Sequence, residues 1–223
     1  MSIKRSSGIL MPISSLPSPY GIGSLGRAAY EFVDFLEAAG QSWWQILPVG
    51  PTSYGDSPYM SFSTFAGNPY FIDLDALVED GLLLPEELSG IDWGDDPRRV
   101  DYEKIYLSRF EVLARAAERG IPRDRERLSA FIGKNTSWLP DYALYMAVKR
   151  HFGMRAWTEW DDAEIRLHKP EAVRQYRELL AKDVEFFEYI QLLFFEQWES
   201  LRAYARDKGI GIIGDIPIYV AFD

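Results

Sequence analysis

The 223-residue sequence predicts an α/β fold built around parallel strands. Three observations point there. Two short apolar segments, residues 8–13 and 43–49, flank one amphipathic helical stretch, the pattern of a βαβ unit. Helical periodicity then runs from about residue 74 to 208. A third apolar segment at residues 210–220, rich in Ile, has the character of a buried strand.

In order along the chain, Gly8-Ile9-Leu10-Met11-Pro12-Ile13 is the first strand, and a Ser/Pro/Gly loop follows it to about residue 25. Residues 28–39 form a helix whose face is Phe32, Phe35, Leu36 and Ala39 at spacings of three and four, closed by Gly40. Trp43-Trp44-Gln45-Ile46-Leu47-Pro48-Val49 is the second strand, apolar almost throughout, as expected where both faces are covered. Strand, helix and strand within about forty residues require a crossover, which makes the two strands parallel. A long loop, 50–72, carries Pro51, Gly55, Pro58, Gly67 and Pro69. Within the helical stretch, Asp101 or Asp141 is a candidate cap, Pro140 suits a first turn, and Gly153 stands just past a helix over 142–152. Val173, Tyr176, Leu180, Val184, Phe187, Ile190, Phe194, Trp198, Leu201 and Ala205 step by three or four, predicting one long helix over about 171–208. Lys208-Gly209 ends it, and 210–220 is the third strand. The organisation predicted is therefore a first βαβ unit over 1–50, a cleft loop with a helical insertion over 51–209, and a third strand over 210–223. A helix should follow that strand and none does, so the expectation is the N-terminal portion of a longer enzyme.

Composition narrows the partners. With 24 basic and 34 acidic residues the net charge is −10, which gives no general attraction to nucleic acid or anionic lipid. Without cysteine there is no disulfide framework, thiolate zinc site, iron–sulfur cluster or cysteine nucleophile. The apolar run after Lys4-Arg5 is broken by Pro12, too short for a signal-peptide core, and no segment reaches membrane-spanning length, so the expected location is the cytoplasm. Residues 1–70 hold only seven charges but eleven of the 33 aromatic residues. That balance suits a cleft for an uncharged ligand or, equally, a buried sheet core.

Four features are candidates for chemistry. Gly21-Ile22-Gly23-Ser24-Leu25-Gly26 matches the dinucleotide pattern G-x-G-x-x-G. However, Ser14 to Tyr20 separate it from the strand, and Ser42 to Val49 contain no acid for a ribose, so a nucleotide turn is not expected. The loop from Gly50 to Tyr59 offers Tyr54, Asp56, Ser57 and Tyr59, aromatic faces with polar partners, which is what a sugar requires. An ordered surface loop packed on its own tyrosines would look the same. Asp215 follows the apolar run 210–214, either aimed into the mouth of an α/β barrel or capping the next turn. His151, His168 and the Trp157–Asp162 cluster are expected to be structural, the cluster packing the helical region.

Several of these blocks carry a family resemblance. Gly8-Ile9-Leu10 with Ser14-Ser15-Leu16-Pro17-Ser18-Pro19-Tyr20-Gly21-Ile22-Gly23, Trp44-Gln45-Ile46-Leu47-Pro48 and Tyr54-Gly55-Asp56-Ser57-Pro58-Tyr59 are similar to segments of the amylomaltases, the 4-α-glucanotransferases of glycoside hydrolase family 77. Ala66-Gly67-Asn68-Pro69-Tyr70-Phe71-Ile72-Asp73-Leu74 and Gly214-Asp215-Ile216-Pro217-Ile218-Tyr219-Val220 complete the set in family order, end to end along the chain.

The resemblance implies the first three strands of a (β/α)8 barrel, with a large, mainly helical insertion between strands two and three. It implies transfer of α-1,4-glucan segments between maltooligosaccharides, with no metal and no organic cofactor. Tyr54, Asp56, Ser57 and Tyr59 would lie by the glucan cleft, and Asp215 would support the reacting sugar without attacking it. Retaining transfer needs two carboxyls roughly 5–5.5 Å apart. Asp215 and Asp223 are up to roughly 26 Å apart if extended, and the family's Arg-x-Asp-His and later His-Asp pair are absent. The nucleophile and acid/base are therefore expected beyond Asp223, leaving this piece silent alone. The rival expectation is a non-catalytic α-glucan-binding module.

Overall fold

The computed structural model describes residues 5–53 and 55–221. Strand β1 (Gly8–Leu10), helix α1 (Arg27–Ala38) and strand β2 (Trp43–Gln45) form the predicted unit, with β1 and β2 parallel. The strands are shorter than the apolar runs. Pro12 has no amide to donate, and Ile13–Ser15 turn into a single 3₁₀ turn. Helix α1 ends at Gly40, whose φ of +66° is open to glycine at no steric cost. Its buried face is Ala29, Val33 and Leu36, with Phe32 edge-on to Trp44 at 5.0 Å. Phe35, predicted inside, is 53% exposed. The apolar arc of the helix is wider than the arc the sheet covers, and the smaller side chains take the contact.

Beyond β2 come β3 (Met60–Ser61), α2 (Leu74–Glu79), α3 (Tyr102–Arg123), α4 (Arg125–Lys134), α5 (Leu139–His151), α6 (Ala163–Arg166), α7 (Pro170–Leu179) and α8 (Ala181–Asp207). Asp101 caps α3 by accepting the Lys104 amide hydrogen at 3.2 Å. Asp141 is not a cap: it lies inside the first turn of α5 beside Pro140, and Gly153 closes that helix at φ +68°. The predicted long helix is two helices. Leu180, at φ −108° and ψ 25°, breaks it between α7 and α8. Its amide still donates to the Tyr176 carbonyl and its carbonyl still accepts from Val184, so the spacing of apolar residues passes through the break unchanged.

The third strand is also divided. Strand β4 (Gly211–Ile213) joins β2 in parallel, giving the order β1-β2-β4, while β5 (Tyr219–Val220) pairs with β3 in a second, two-stranded sheet. Between them Gly214 weakens the extended run and Pro217 has no amide for a ladder bond.

In the three-stranded sheet Trp44 is fully buried between Ile9 and Ile212, facing α1. The opposite face carries Leu10, Trp43 and Ile213, all exposed. Trp43 is flanked in register by Gly8 and Gly211, and a Cβ on Gly211 would come within 2.3 Å of its ring. One continuous core links Leu36, Trp44, Val112, Tyr189 and Phe194, so α8 packs against both the sheet layer and the helices.

Candidate functional site

The loop after β2 doubles back on itself. Thr52 bridges Ser61, the Ser53 amide donates to the Met60 carbonyl at 3.1 Å, and the turn between them runs through Gly55 at φ +84° and Asp56 at φ +53°. The Tyr59 amide donates to Ser57 Oγ at 3.4 Å, so Ser57 stiffens this turn. Pairing of β3 with β5 carries Tyr59 to the segment after β4. There the Tyr59 hydroxyl donates to Asp215 Oδ2 at 2.9 Å across 156 residues of sequence. The other carboxylate oxygen accepts the Ile216 amide hydrogen at 2.9 Å. Asp215 thus meets both the backbone amide that follows it and the loop tyrosine. Because the carboxylate accepts the phenolic proton, the Tyr59 phenol is held above its usual range.

Asp56 is half-buried and faces a cleft of about 670 Å³. Burial pushes its carboxyl up. Tyr70 and Tyr102 line the same cleft, and their phenols are raised first by burial and then by the Asp56 charge. Tyr106, Phe110 and Tyr142 supply further aromatic wall. Tyr54 lies outside the described residues.

Sequence reasoning assigned Tyr102, Tyr106 and Tyr142 to no site, because they sit on helices in a region that reads as core. The available signal was the i, i+4 pair Tyr102 and Tyr106 at the start of α3, aromatic on one face and hydroxylated at its tip.

The floor of the cleft is pinned to α8. Gln191 accepts the Gly67 amide hydrogen at 2.8 Å and donates back to the Gly67 carbonyl at 2.9 Å. Gln197 does the same for Asp73, at 2.7 and 3.2 Å. Each glutamine therefore pairs with a backbone amide group as a neighbouring strand would.

The glycines of the dinucleotide-like pattern answer to packing. A Cβ on Gly23 would fall 1.9 Å from the Ile13 carbonyl oxygen, and one on Gly26 1.9 Å from Asp73 Oδ2. Asp73 stands by the start of α1, held by Ser24 Oγ at 2.6 Å, so a carboxylate of the chain occupies the place a pyrophosphate would take. Among the described residues no group of three or more His, Asp or Glu is arranged to hold a metal ion. No helix among them is long and apolar enough to cross a membrane.

Residues 11–223 match a protein-family model, Glyco_hydro_77, described as 4-alpha-glucanotransferase. The chain is 54% identical over 224 residues to the 4-alpha-glucanotransferase of Streptococcus pneumoniae, covering 99% of this chain and 44% of the relative. The Thermus thermophilus 4-alpha-glucanotransferase is 45% identical over 227 residues, with 100% and 44% covered. Among solved structures, amylomaltase from Streptococcus agalactiae in complex with acarbose superposes with a TM-score of 0.94 at 46% identity, covering 97% of this chain and 44% of that one. The chain thus spans 44% of the length of these relatives.

Proposed function

The chain belongs to the 4-alpha-glucanotransferase family, and from that premise we propose that the protein it forms transfers α-1,4-glucan segments between maltooligosaccharides with retention of configuration. The observation that carries this reading is the Tyr59–Asp215 hydrogen bond. Two polar groups from separate segments converge just beyond the C-terminal ends of β2 and β4, the end of parallel strands where α/β barrels hold substrate. The three parallel strands are then the first three of a (β/α)8 barrel, and the helices between β2 and β4 are an insertion that walls the cleft.

In the retaining reaction one carboxylate attacks the anomeric carbon while a second gives a proton to the departing glucan oxygen. The second then takes the proton from the acceptor 4-hydroxyl as that oxygen displaces the enzyme. Both carboxylates would come from the part of the relatives this chain does not span. Its own residues bind and orient. Asp215, an acceptor held in place by Tyr59 and by the Ile216 amide, accepts hydrogen bonds from hydroxyls of the reacting glucose. Asp56, Ser57 and Tyr59, with Tyr54, offer rings and polar groups along the neighbouring chain. No step needs a metal or an organic cofactor.

The test is to incubate the native protein with maltotriose and separate the products. Glucose together with oligosaccharides longer than three units is expected, and Asp215→Asn should lower the rate about a hundredfold, the scale of losing one transition-state hydrogen-bonding group. Maltooligosaccharide binding with no products would overturn the reading.

A further inference from the structure

A second cavity, of about 330 Å³, opens among the helices between α5 and α6. We propose that it is a separate α-glucan-binding site, taking one or two glucose units from the far part of a chain whose other end lies in the Asp56 cleft. The proposal rests on the glucanotransferase reading.

The size is right for a small ligand and the walls are built for one. Trp160 forms a rigid back wall: it is buried, stacks on Phe152 at 5.7 Å and 17°, and donates its indole hydrogen to the Arg155 carbonyl at 3.2 Å. Tyr145 stands 5.8 Å from it, ring to ring. Trp157 lines the same cavity and is 38% exposed, although its neighbour Trp160 is packed away as the sequence suggested for the whole cluster. An indole with that much open surface beside a cavity is a platform for the C–H face of a pyranose.

The rim is polar and of mixed sign. Arg166 is fixed by a hydrogen bond from Nη1 to the Thr158 carbonyl at 3.1 Å. His168 sits at φ +51° with Nε2 3.8 Å from Asp141 Oδ1, and Asp141 also accepts from Arg177 at 3.3 Å. An anionic ligand would meet the Asp141 carboxylate and a cation would meet Arg166. A neutral polyol can donate to the first and accept from the second. Continuity favours a glucan over any other polyol: Phe62 lines both this cavity and the 670 Å³ cleft, so a single chain passing that ring touches both.

The experiment measures binding of maltoheptaose and of maltotriose by calorimetry, using the native protein in an Asp215→Asn background so that the sugars are consumed about a hundredfold more slowly than in the wild type. Trp157→Ala should weaken maltoheptaose about tenfold, roughly the 1.4 kcal/mol of one lost stacking contact. The preference for maltoheptaose over maltotriose should shrink by the same factor. His168→Ala, an exposed change that leaves the core alone, should reduce that preference in the same direction. Melting temperatures equal to the parent's establish that both variants are folded. With maltotriose disproportionation intact in the wild type, unchanged maltoheptaose affinity in both variants overturns the site alone, and so does an equal loss for both sugars. No disproportionation and no saccharide binding in the wild type overturns the reading and the site with it.

Discussion

Gln191 is fully buried, yet both ends of its amide are spent on the backbone of Gly67, a residue in the cleft loop. Gln191→Leu keeps the volume and removes both partners, leaving a buried N–H and a buried C=O unpaired. The expected loss is about 3 kcal/mol, read as a lower denaturation midpoint in urea. A second residue-scale effect depends on pH. Glu87 accepts two hydrogen bonds from Arg119, at 2.7 and 2.8 Å, and one from the Leu84 amide at 2.8 Å. These hold its carboxyl at about 2, below the ordinary glutamate range, with the Arg119 contacts first in weight. A depressed folded value means that the stabilisation is complete above the unfolded pKa of roughly 4.3 and disappears as pH falls through about 2. Glu87→Gln should therefore melt below wild type at pH 6, and the gap should close between pH 4 and pH 2 in thermal scans.

At the scale of elements, the contact between α8 and residues 66–73 sets the position of the cleft. Phe194 lies so close to Gly67 that a Cβ there would sit 2.0 Å from its ring. Gly67→Ala must push either the loop or the helix, and overpacking of this kind costs about 1–3 kcal/mol. The loop is the weaker partner, so maltooligosaccharide affinity should fall together with the melting temperature. Unchanged affinity in a destabilised variant would show that the helix yields instead. Much at this scale was legible in the chain. Asp101 before α3, Pro140 within the first turn of α5 and Gly40 after α1 are local rules that act on neighbours in sequence. The breaks at Leu180 and between β4 and β5 were not legible, because apolar spacing continues through the first and apolar composition through the second. Only pairing partners reveal that Tyr219–Val220 belongs with Met60–Ser61.

For the molecule as a whole, the telling feature is the open face of the three-stranded sheet. Leu10, Trp43 and Ile213 stand on it exposed, Gly211 leaves room for the Trp43 ring, and Gly8 leaves room for the Trp43 backbone and Cβ. If the native protein closes this sheet into a barrel, Trp43 becomes interior. The difference between wild type and Trp43→Phe in acrylamide quenching should then show Trp43 shielded in the native protein, and ready quenching would count against the barrel. The charge of −10 belongs to this scale too: at physiological salt the protein should leave a DNA duplex unshifted in a gel.

The sequence by itself determined the α/β class, the βαβ unit and several helix ends, and it singled out the loop residues Asp56, Ser57 and Tyr59, since periodicity, capping and turn chemistry are written in short windows. Its quoted blocks also placed the chain in its family. Tertiary structure decided that Tyr59 meets Asp215, that Tyr70 and Tyr102 share a cleft with Asp56, and that two glutamines of α8 hold the cleft floor. Each of those contacts spans from 14 to 156 residues, and no local propensity distinguishes a tyrosine or glutamine that reaches such a partner from one that merely fills a core. What brings them together is pairing of β3 with β5 and packing of α8 on the loop, and both are set by which surfaces the whole chain can bury.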